Sequence, residues 1–175
     1  MKQELRLSGT GGQGLILAGI ILAEAALLDG KLAIQSQSYG PEARGGSSKS
    51  EVMISEEAIH FPKVTEPNLL LAMSQEAANK YSTDLSPESI LVTDSLFVSK
   101  LPAHTGKVYE LPITHSAKEI LGKALFANII ALGALVKITN IVSEESLVKA
   151  VLNRVPKGTE ELNKKALQLG MDLVK

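Results

Sequence analysis

The order of apolar and polar residues divides the chain into short strand-like runs and longer helical ones. Residues 4–8 alternate as in a strand, and residues 15–28 form an aliphatic run that closes with an Asp-Gly pair, as helices commonly do. A second short strand is predicted at 31–36. In residues 48–55 apolar side chains alternate with polar ones, which predicts a half-exposed strand.

Later in the chain, two runs are apolar nearly throughout and predict strands that are covered on both faces. They begin at Asn68 and at Ser89, and a further strand is predicted at 107–113. Helices are predicted at 75–81, at 116–135 with a break near Gly122, at 143–153 and at 159–174. Alternating strands and helices indicate an α/β protein with a sheet between helical layers.

The composition excludes several classes of partner and of chemical site. The 175 residues fit a single domain, and their hydrophobic fraction of 45% with only 3% aromatic residues predicts an aliphatic core. The net charge of −1 attracts neither nucleic acid nor an anionic membrane, so neither is expected as a partner. The chain has no cysteine, which excludes disulfides, a thiol nucleophile and an iron–sulfur cluster held by this chain. Its three scattered histidines do not suggest a metal site.

No segment has the pattern of a signal peptide, and the apolar runs fall short of the ~20 residues that cross a bilayer. The expected location is therefore cytoplasmic.

A glycine cluster follows the first predicted strand and precedes the first predicted helix. Gly9, Gly11 and Gly14 fit the pattern G-x-G-x-x-G. Glycines there allow a tight turn and leave amides of the helix start facing an anion, so phosphate is the expected ligand. The candidate binding residues are Gly9, Thr10, Gly11, Gly12, Gln13 and Gly14. A tight turn that holds no ligand remains the alternative.

The surroundings of this cluster do not favour a nicotinamide dinucleotide. Such a site has an acid about 20 residues beyond the glycines, where this chain has Gln35 and Ser36. The helix after the cluster has a single charged residue, Glu24, and must be covered on most of its surface. Another layer of the same domain and another chain are both open as the cover.

A second glycine-containing loop, residues 36–48, should emerge at the same edge of the sheet. It carries Tyr39, Glu42 and Arg44. The guanidinium of Arg44 suits a bidentate contact with phosphate or carboxylate. The alternative is a solvated turn in which Glu42 pairs with Arg44.

The motifs "GTGGQG" and "SYGPEARGG", with "TDS" at 93–95 and "ANIIALGAL" at 127–135, resemble the gamma subunit of 2-oxoacid:ferredoxin oxidoreductases. The resemblance covers most of the chain. It implies a three-layer α/β/α sandwich with a mixed, mostly parallel sheet, present as one gamma-subunit domain over residues 1–175. It also implies a share in converting a 2-oxoacid and coenzyme A to acyl-CoA and carbon dioxide, with electrons passed to ferredoxin.

The resemblance further implies that this subunit is inactive alone. Thiamine diphosphate, Mg and the iron–sulfur clusters are expected on alpha and beta subunits, with a delta subunit as a further candidate, and coenzyme A is the co-substrate. The chain itself is expected to hold no cofactor, metal or catalytic residue. Its length favours 2-oxoglutarate over pyruvate or a branched-chain 2-oxoacid. A homodimer is a further expectation for the isolated chain.

In this family context, Tyr39, Glu42 and Arg44 are expected to shape the coenzyme A entrance. The glycine loop would present its amides to a phosphate or to a neighbouring chain. Two other functions stay open: a stand-alone dinucleotide-binding oxidoreductase and a purely structural adaptor.

Three further polar residues, Asp94, Asn128 and His115, stand at notable positions in the predicted elements. Asp94 ends a buried strand and is expected to cap the following turn. Asn128 lies within an apolar helix, where its amide must find partners, such as a neighbouring loop. His115 is assigned no role.

Overall fold

Strands and helices alternate along the described part of the chain, residues 1–38 and 46–175 of a computed structural model. The strands are β1 (Lys2–Thr10), β2 (Leu32–Ser38), β3 (Ser47–Ser55), β4 (Leu69–Ala72), β5 (Ile90–Asp94) and β6 (Lys107–Leu111). The helices are α1 (Leu15–Leu28), α2 (Gln75–Tyr81), α3 (Ile113–Leu121), α4 (Ala127–Thr139), α5 (Glu144–Arg154) and α6 (Glu160–Leu173). Elements follow the order predicted from the sequence, with ends shifted by a few residues.

The six strands form one sheet in the order β2-β3-β1-β4-β5-β6. The pairs β1/β4, β4/β5 and β5/β6 are parallel, whereas β3 is antiparallel to both β1 and β2. Five strands therefore run in one direction and β3 alone runs in the other. The mixed, mostly parallel sheet expected from the sequence is confirmed.

Residues 48–55 lie in a strand, as predicted, but the expectation that this strand is half-exposed is wrong. β3 lies between β1 and β2, and Val52, Met53 and Ile54 are each no more than 2% exposed. Its alternation does not mark an exposed face, because the polar residues Ser50, Glu51 and Ser55 are buried as well. Glu51 is 8% exposed and accepts a hydrogen bond from Arg6 Nε at 2.8 Å. A buried polar residue with a partner gives the same alternation as an exposed one.

One face of the sheet carries the main hydrophobic core. This core joins Leu5 and Leu7 of β1 with residues of α1 and α4, while α5 packs on α1 and α6 packs on α4. α1 is thus covered within its own chain, by the sheet and by α4 and α5, which answers the question raised by its apolar sequence. Its most open residues are in the last turn, with Leu27 58% and Leu28 48% exposed, and Ile16, Leu17 and Ile20 are half-buried.

The opposite face is covered by α2 and holds a buried ionic cluster. Arg6, 5% exposed, donates to Glu51 and, through Nη1, to Asp84 at 2.7 Å. Its guanidinium also lies 5.9 Å from the centre of the Tyr81 ring. Helical cover on both faces gives the three-layer α/β/α arrangement that the family resemblance implied.

The break predicted near Gly122 is present. α3 ends there, with Gly122 as its C-cap in the left-handed conformation, and α4 begins five residues later after a single 3-10 turn at Ala124–Phe126. Within the described residues, no helix has both the length and the apolar character needed to traverse a bilayer.

Candidate functional site

The residues that flank the two predicted loops lie at one edge of the sheet. Thr10, the last residue of β1, pairs with Ser47 at the start of β3, and Lys49 pairs with Ser38 at the end of β2. Ser47, where the second loop ends, therefore lies beside Thr10 at the start of the glycine loop, and Ser38, where it begins, lies across β3 from Thr10. The predicted binding residues Tyr39, Glu42 and Arg44 fall in 39–45, outside the described residues.

The glycine loop is open to solvent and turns through two glycines with positive φ. Gly12 and Gly14 have φ of 88° and 76°, values that side chains other than glycine rarely adopt. Gly11 and Gly12 are exposed, and Gly14 is the N-cap of α1 without a side chain to occupy the first amides of the helix. Those amides and the positive end of the helix dipole attract an anion.

Gln13 faces inward and holds the loop together. Its Oε1 accepts from the amide of Thr10 at 2.8 Å, and its Nε2 donates to the carbonyl of Met73 at 2.9 Å. Both ends of the side chain are thus engaged with the protein. The sequence placed Gln13 among the candidate binding residues, and the structure gives it hydrogen bonds within the loop and to the end of β4.

Asn128 braces the other end of the loop. Its Nδ2 donates to the carbonyl of Gly14 at 3.1 Å, and its Oδ1 accepts from the amide of Ile129 at 2.9 Å. The side chain is nearly buried, with the residue 6% exposed. The neighbouring loop that the sequence suggested as its partner is the glycine loop itself.

Gly9 serves packing rather than exposure. A Cβ at this position would lie 2.8 Å from Leu15 Cδ1 and 3.0 Å from Met73 Cβ, and it would also meet Gln13 Oε1. A larger residue would push β1 away from the start of α1. Of the predicted glycines, Gly11 and Gly12 are the most open to a ligand.

Two clefts flank the glycine loop. One, of about 400 Å³, lies toward the β2–β3 side and is lined by Thr10, Gly11, Gly12, Gly14, Leu15, Ile16, Ser38 and Ser48. The other, of about 530 Å³, lies toward α3 and α4 and includes the exposed Phe97 and Leu125 and the cation Lys118. Hydroxyls and amides dominate the polar groups of the first cleft, which suits a phosphate.

A larger recess, of about 640 Å³, lies at the opposite edge of the sheet. It is lined by residues at the amino ends of β1, β4 and β5, among them Gln3, Asn68 and Ile90. Ligands of open α/β sheets bind beyond the carboxyl ends of the strands, so the glycine edge is the stronger candidate despite its smaller clefts.

Two other polar residues, Asp94 and His115, lie near the glycine edge of the sheet. Asp94 is fully buried and accepts from Thr114 Oγ1 at 2.5 Å and from the amides of Thr114 and Leu96 at 3.2 Å each. These bonds tie the end of β5 to the start of α3, as expected for a cap. His115 is exposed on α3.

Shifted pKa values occur at structural positions away from the glycine loop. Burial opposes ionisation of Glu4, but hydrogen bonds from Lys2 and from the amides of Thr65 and Glu66 outweigh it and lower its pKa. Asp29 behaves alike: burial opposes ionisation, and bonds from Ser146 and Ser143 lower its pKa. Both carboxylates fasten loops or helices of the scaffold.

The topology does not form a dinucleotide site of the usual kind. In that site the second strand lies next to the first and carries the acid that holds the ribose. Here β3 lies between β1 and β2, so the end of β2 is one strand further away. The glycine loop at the start of α1 therefore lacks the adjacent strand end that would hold a ribose.

A protein-family model described as pyruvate ferredoxin/flavodoxin oxidoreductase matches residues 4–173. Among curated proteins, 2-oxoglutarate synthase subunit KorC of Methanocaldococcus jannaschii is 52% identical over 178 residues, covering 100% of this chain and 95% of the relative.

Two solved structures of 2-oxoacid:ferredoxin oxidoreductases are also similar to this chain. The gamma subunit of keto/oxoacid ferredoxin oxidoreductase from Geobacter sulfurreducens has a TM-score of 0.89 at 50% identity, covering 99% of this chain and 96% of that one. The 2-oxoglutarate:ferredoxin oxidoreductase of Magnetococcus marinus, solved with 2-oxoglutarate, coenzyme A and succinyl-CoA bound, has a TM-score of 0.89 at 25% identity. That match covers 98% of this chain and 31% of the longer one.

Proposed function

Since the chain belongs to the pyruvate ferredoxin/flavodoxin oxidoreductase family, we propose that it is the gamma subunit of a 2-oxoglutarate:ferredoxin oxidoreductase. The family resemblance inferred from the two loop motifs is thereby confirmed. The assembled enzyme converts 2-oxoglutarate and coenzyme A to succinyl-CoA and carbon dioxide and passes two electrons to ferredoxin. The proposal includes a cytoplasmic location.

The observation that carries this proposal is the 52% identity over the whole chain to a 2-oxoglutarate synthase subunit. Pyruvate synthase subunit PorC of Thermotoga maritima is also similar over nearly the whole chain, but at 30% identity. The higher identity favours 2-oxoglutarate as the substrate of the complex.

The residues of this chain do not fit the redox cofactors. Iron–sulfur clusters are held by cysteine thiolates, and the sequence contains no cysteine. Residues 1–38 and 46–175 contain no group of three or more His, Cys, Asp or Glu side chains that could hold a metal ion. We therefore assign thiamine diphosphate, its Mg and the clusters to alpha, beta or delta partner subunits.

The glycine edge does fit coenzyme A, which carries a diphosphate and a further phosphate. In our proposal, the amides of Gly11, Gly12 and the start of α1 hold one phosphate in the cleft that Ser38 and Ser48 complete. Arg44 would reach the same phosphate from the second loop, which leads into Ser47 beside Thr10. The coenzyme A in the related Magnetococcus enzyme supports this choice of ligand.

The role of the chain in the reaction is then to bind and orient coenzyme A. Fixed amides at a helix start need no rearrangement to face a phosphate, so the nucleotide end is held while the thiol end reaches the partner subunit. Tyr39 and Glu42 are proposed to line the entrance beside Arg44. No catalytic residue is assigned to this subunit.

Reconstitution tests the proposed function. The purified chain alone should not reduce a viologen dye with 2-oxoglutarate and coenzyme A, and addition of the partner subunits should restore the reaction. Comparison of kcat/KM for 2-oxoglutarate, pyruvate and 3-methyl-2-oxobutanoate in the same complex tests the substrate. Dye reduction by the chain alone, or a preference for pyruvate, contradicts the proposal.

Replacing Arg44 tests the coenzyme A site. Loss of a charge-assisted hydrogen bond to phosphate should raise the KM for coenzyme A about tenfold or more in Arg44→Ala. Arg154→Ala is the matched control. The side chain of this arginine is 47% exposed, and it pairs with Glu24 and so joins α5 to α1. An unchanged KM with normal assembly would favour the purely structural adaptor instead.

A further inference from the structure

Two amide side chains brace the glycine loop from within, and we infer that Gln13 and Asn128 are positioning residues for coenzyme A. The inference rests on the proposed function and adds the means by which the phosphate cradle keeps its shape. Neither side chain needs to touch the ligand: each acts through the loop backbone.

Gln13 fixes the first half of the loop. One end of its amide holds Thr10 N and the other holds Met73 O, at 2.8 and 2.9 Å. Because Thr10 ends β1 and Met73 follows β4, the side chain ties the loop to two adjacent parallel strands. The turn formed by Gly11 and Gly12 is held between these attachments and the start of α1.

Asn128 fixes the second half. It lies 114 residues from Gly14 in sequence and donates to the Gly14 carbonyl at 3.1 Å. The same carbonyl accepts from the amide of Ala18 at 3.0 Å, in the first turn of α1. Asn128 therefore anchors the helix start, whose amides face the cleft, to α4.

Bracing matters because the loop consists largely of glycine. Glycine loses more backbone freedom on ordering than other residues do. When hydrogen bonds within the protein order the loop during folding, that cost does not fall on ligand binding. Loss of either brace should therefore weaken coenzyme A binding and leave the chemistry on the partner subunits unchanged.

The test uses uncharged variants of similar size in the reconstituted complex, so that no new charge faces the phosphate. Gln13→Met and Asn128→Leu should each raise the KM for coenzyme A about five- to tenfold, the effect of losing a net hydrogen bond. The kcat at saturating coenzyme A and the KM for the 2-oxoacid should stay within about twofold of the wild type.

Asn68→Leu is the matched control. Asn68 is also an amide that holds a backbone amide, since its Oδ1 accepts from Glu4 N at 2.7 Å, and it lines the recess at the opposite edge of the sheet from the glycine loop. Its substitution should leave the KM for coenzyme A unchanged. An equal rise in this control, or a joint loss of kcat and of both KM values, would mean general damage and would overturn the inference.

Failure of the inference is distinguishable from failure of the proposed function. If Arg44→Ala raises the KM for coenzyme A while Gln13→Met and Asn128→Leu do not, the site stands and the positioning role is wrong. If all three leave it unchanged in an active complex, the subunit assignment stands and this chain does not bind coenzyme A here. Should Asn128→Leu fail to assemble, Gln13→Met on the half-exposed loop decides the question.

Discussion

Substitution of Gly14 by alanine should destabilise the protein more than the same change at Gly12, although both glycines have positive φ. At either site alanine must adopt a left-handed conformation, which costs about 1–2 kcal/mol. At Gly12 an added Cβ meets nothing within 4 Å. At Gly14 it would lie 2.5 Å from Nδ2 and 3.1 Å from Cγ of Asn128, so that side chain must move.

The contact with Asn128 sets the size of the difference. Moving this side chain breaks its hydrogen bond to Gly14, worth about 1 kcal/mol, and displaces a packed group at a cost of about 1 kcal/mol more. Gly14→Ala should therefore lose about 2 kcal/mol more than Gly12→Ala. At about 2–4 °C per kcal/mol for a chain of this size, its Tm should be about 4–8 °C lower.

Thermal unfolding followed by circular dichroism measures this difference on the isolated chain, and an Asn128→Ala background isolates its cause. With the amide removed, the atom nearest the new Cβ is Asn128 Cβ at 3.5 Å, an ordinary contact. The two alanine variants should then unfold at similar temperatures. Equal Tm values in the wild-type background, or a difference that persists without Asn128, would refute the reasoning.

Three other predictions concern the scaffold. Gly170→Ala should lower the Tm by about 5–10 °C. An added Cβ would meet the backbone of Ile130 on α4, and such overpacking costs about 2–3 kcal/mol. An unchanged Tm would contradict this. Arg6→Met should lose about 1.5–3 kcal/mol in urea unfolding, because buried Glu51 loses its bond from the guanidinium and among the described residues keeps only Lys49, at 3.1 Å. A neutral result would refute this. Asp29, whose pKa is lowered, stabilises the fold above its unfolded-state pKa and loses this contribution as pH falls through the folded-state pKa. Asp29→Asn should therefore unfold with a weaker pH dependence below about pH 4 than the wild type, and an unchanged pH profile opposes this.

Much of the site followed from local sequence. The strand, glycines and helix of residues 2–28 are adjacent in the chain, so the amides at the start of α1 could be placed before any tertiary contact was known. The second loop could be assigned to the same edge, because it follows a strand that runs in the direction of β1. The pairing of Thr10 with Ser47 agrees with that expectation.

The partners of polar side chains could not be predicted in the same way. Gln13 looked like a ligand-binding residue because it stands among exposed glycines, yet Met73, 60 residues away, accepts its hydrogen bond. An amide can bond to a ligand or to a distant carbonyl with the same chemistry. Asn128 gave a usable signal, since a polar residue inside an apolar helix requires a hydrogen-bond partner. The sequence did not say which residue that partner is.

The sequence by itself determined the strands and helices, the absence of thiolate ligands, and the glycine turn at the start of α1, because each depends on residue chemistry or on neighbours a few positions apart. Only the tertiary structure decided that β3 lies between β1 and β2, that Glu51 is buried against Arg6, and that Asn128 holds Gly14. These outcomes depend on strand register and on contacts across 45 to 114 residues, where packing selects one pairing among many that local patterns allow equally.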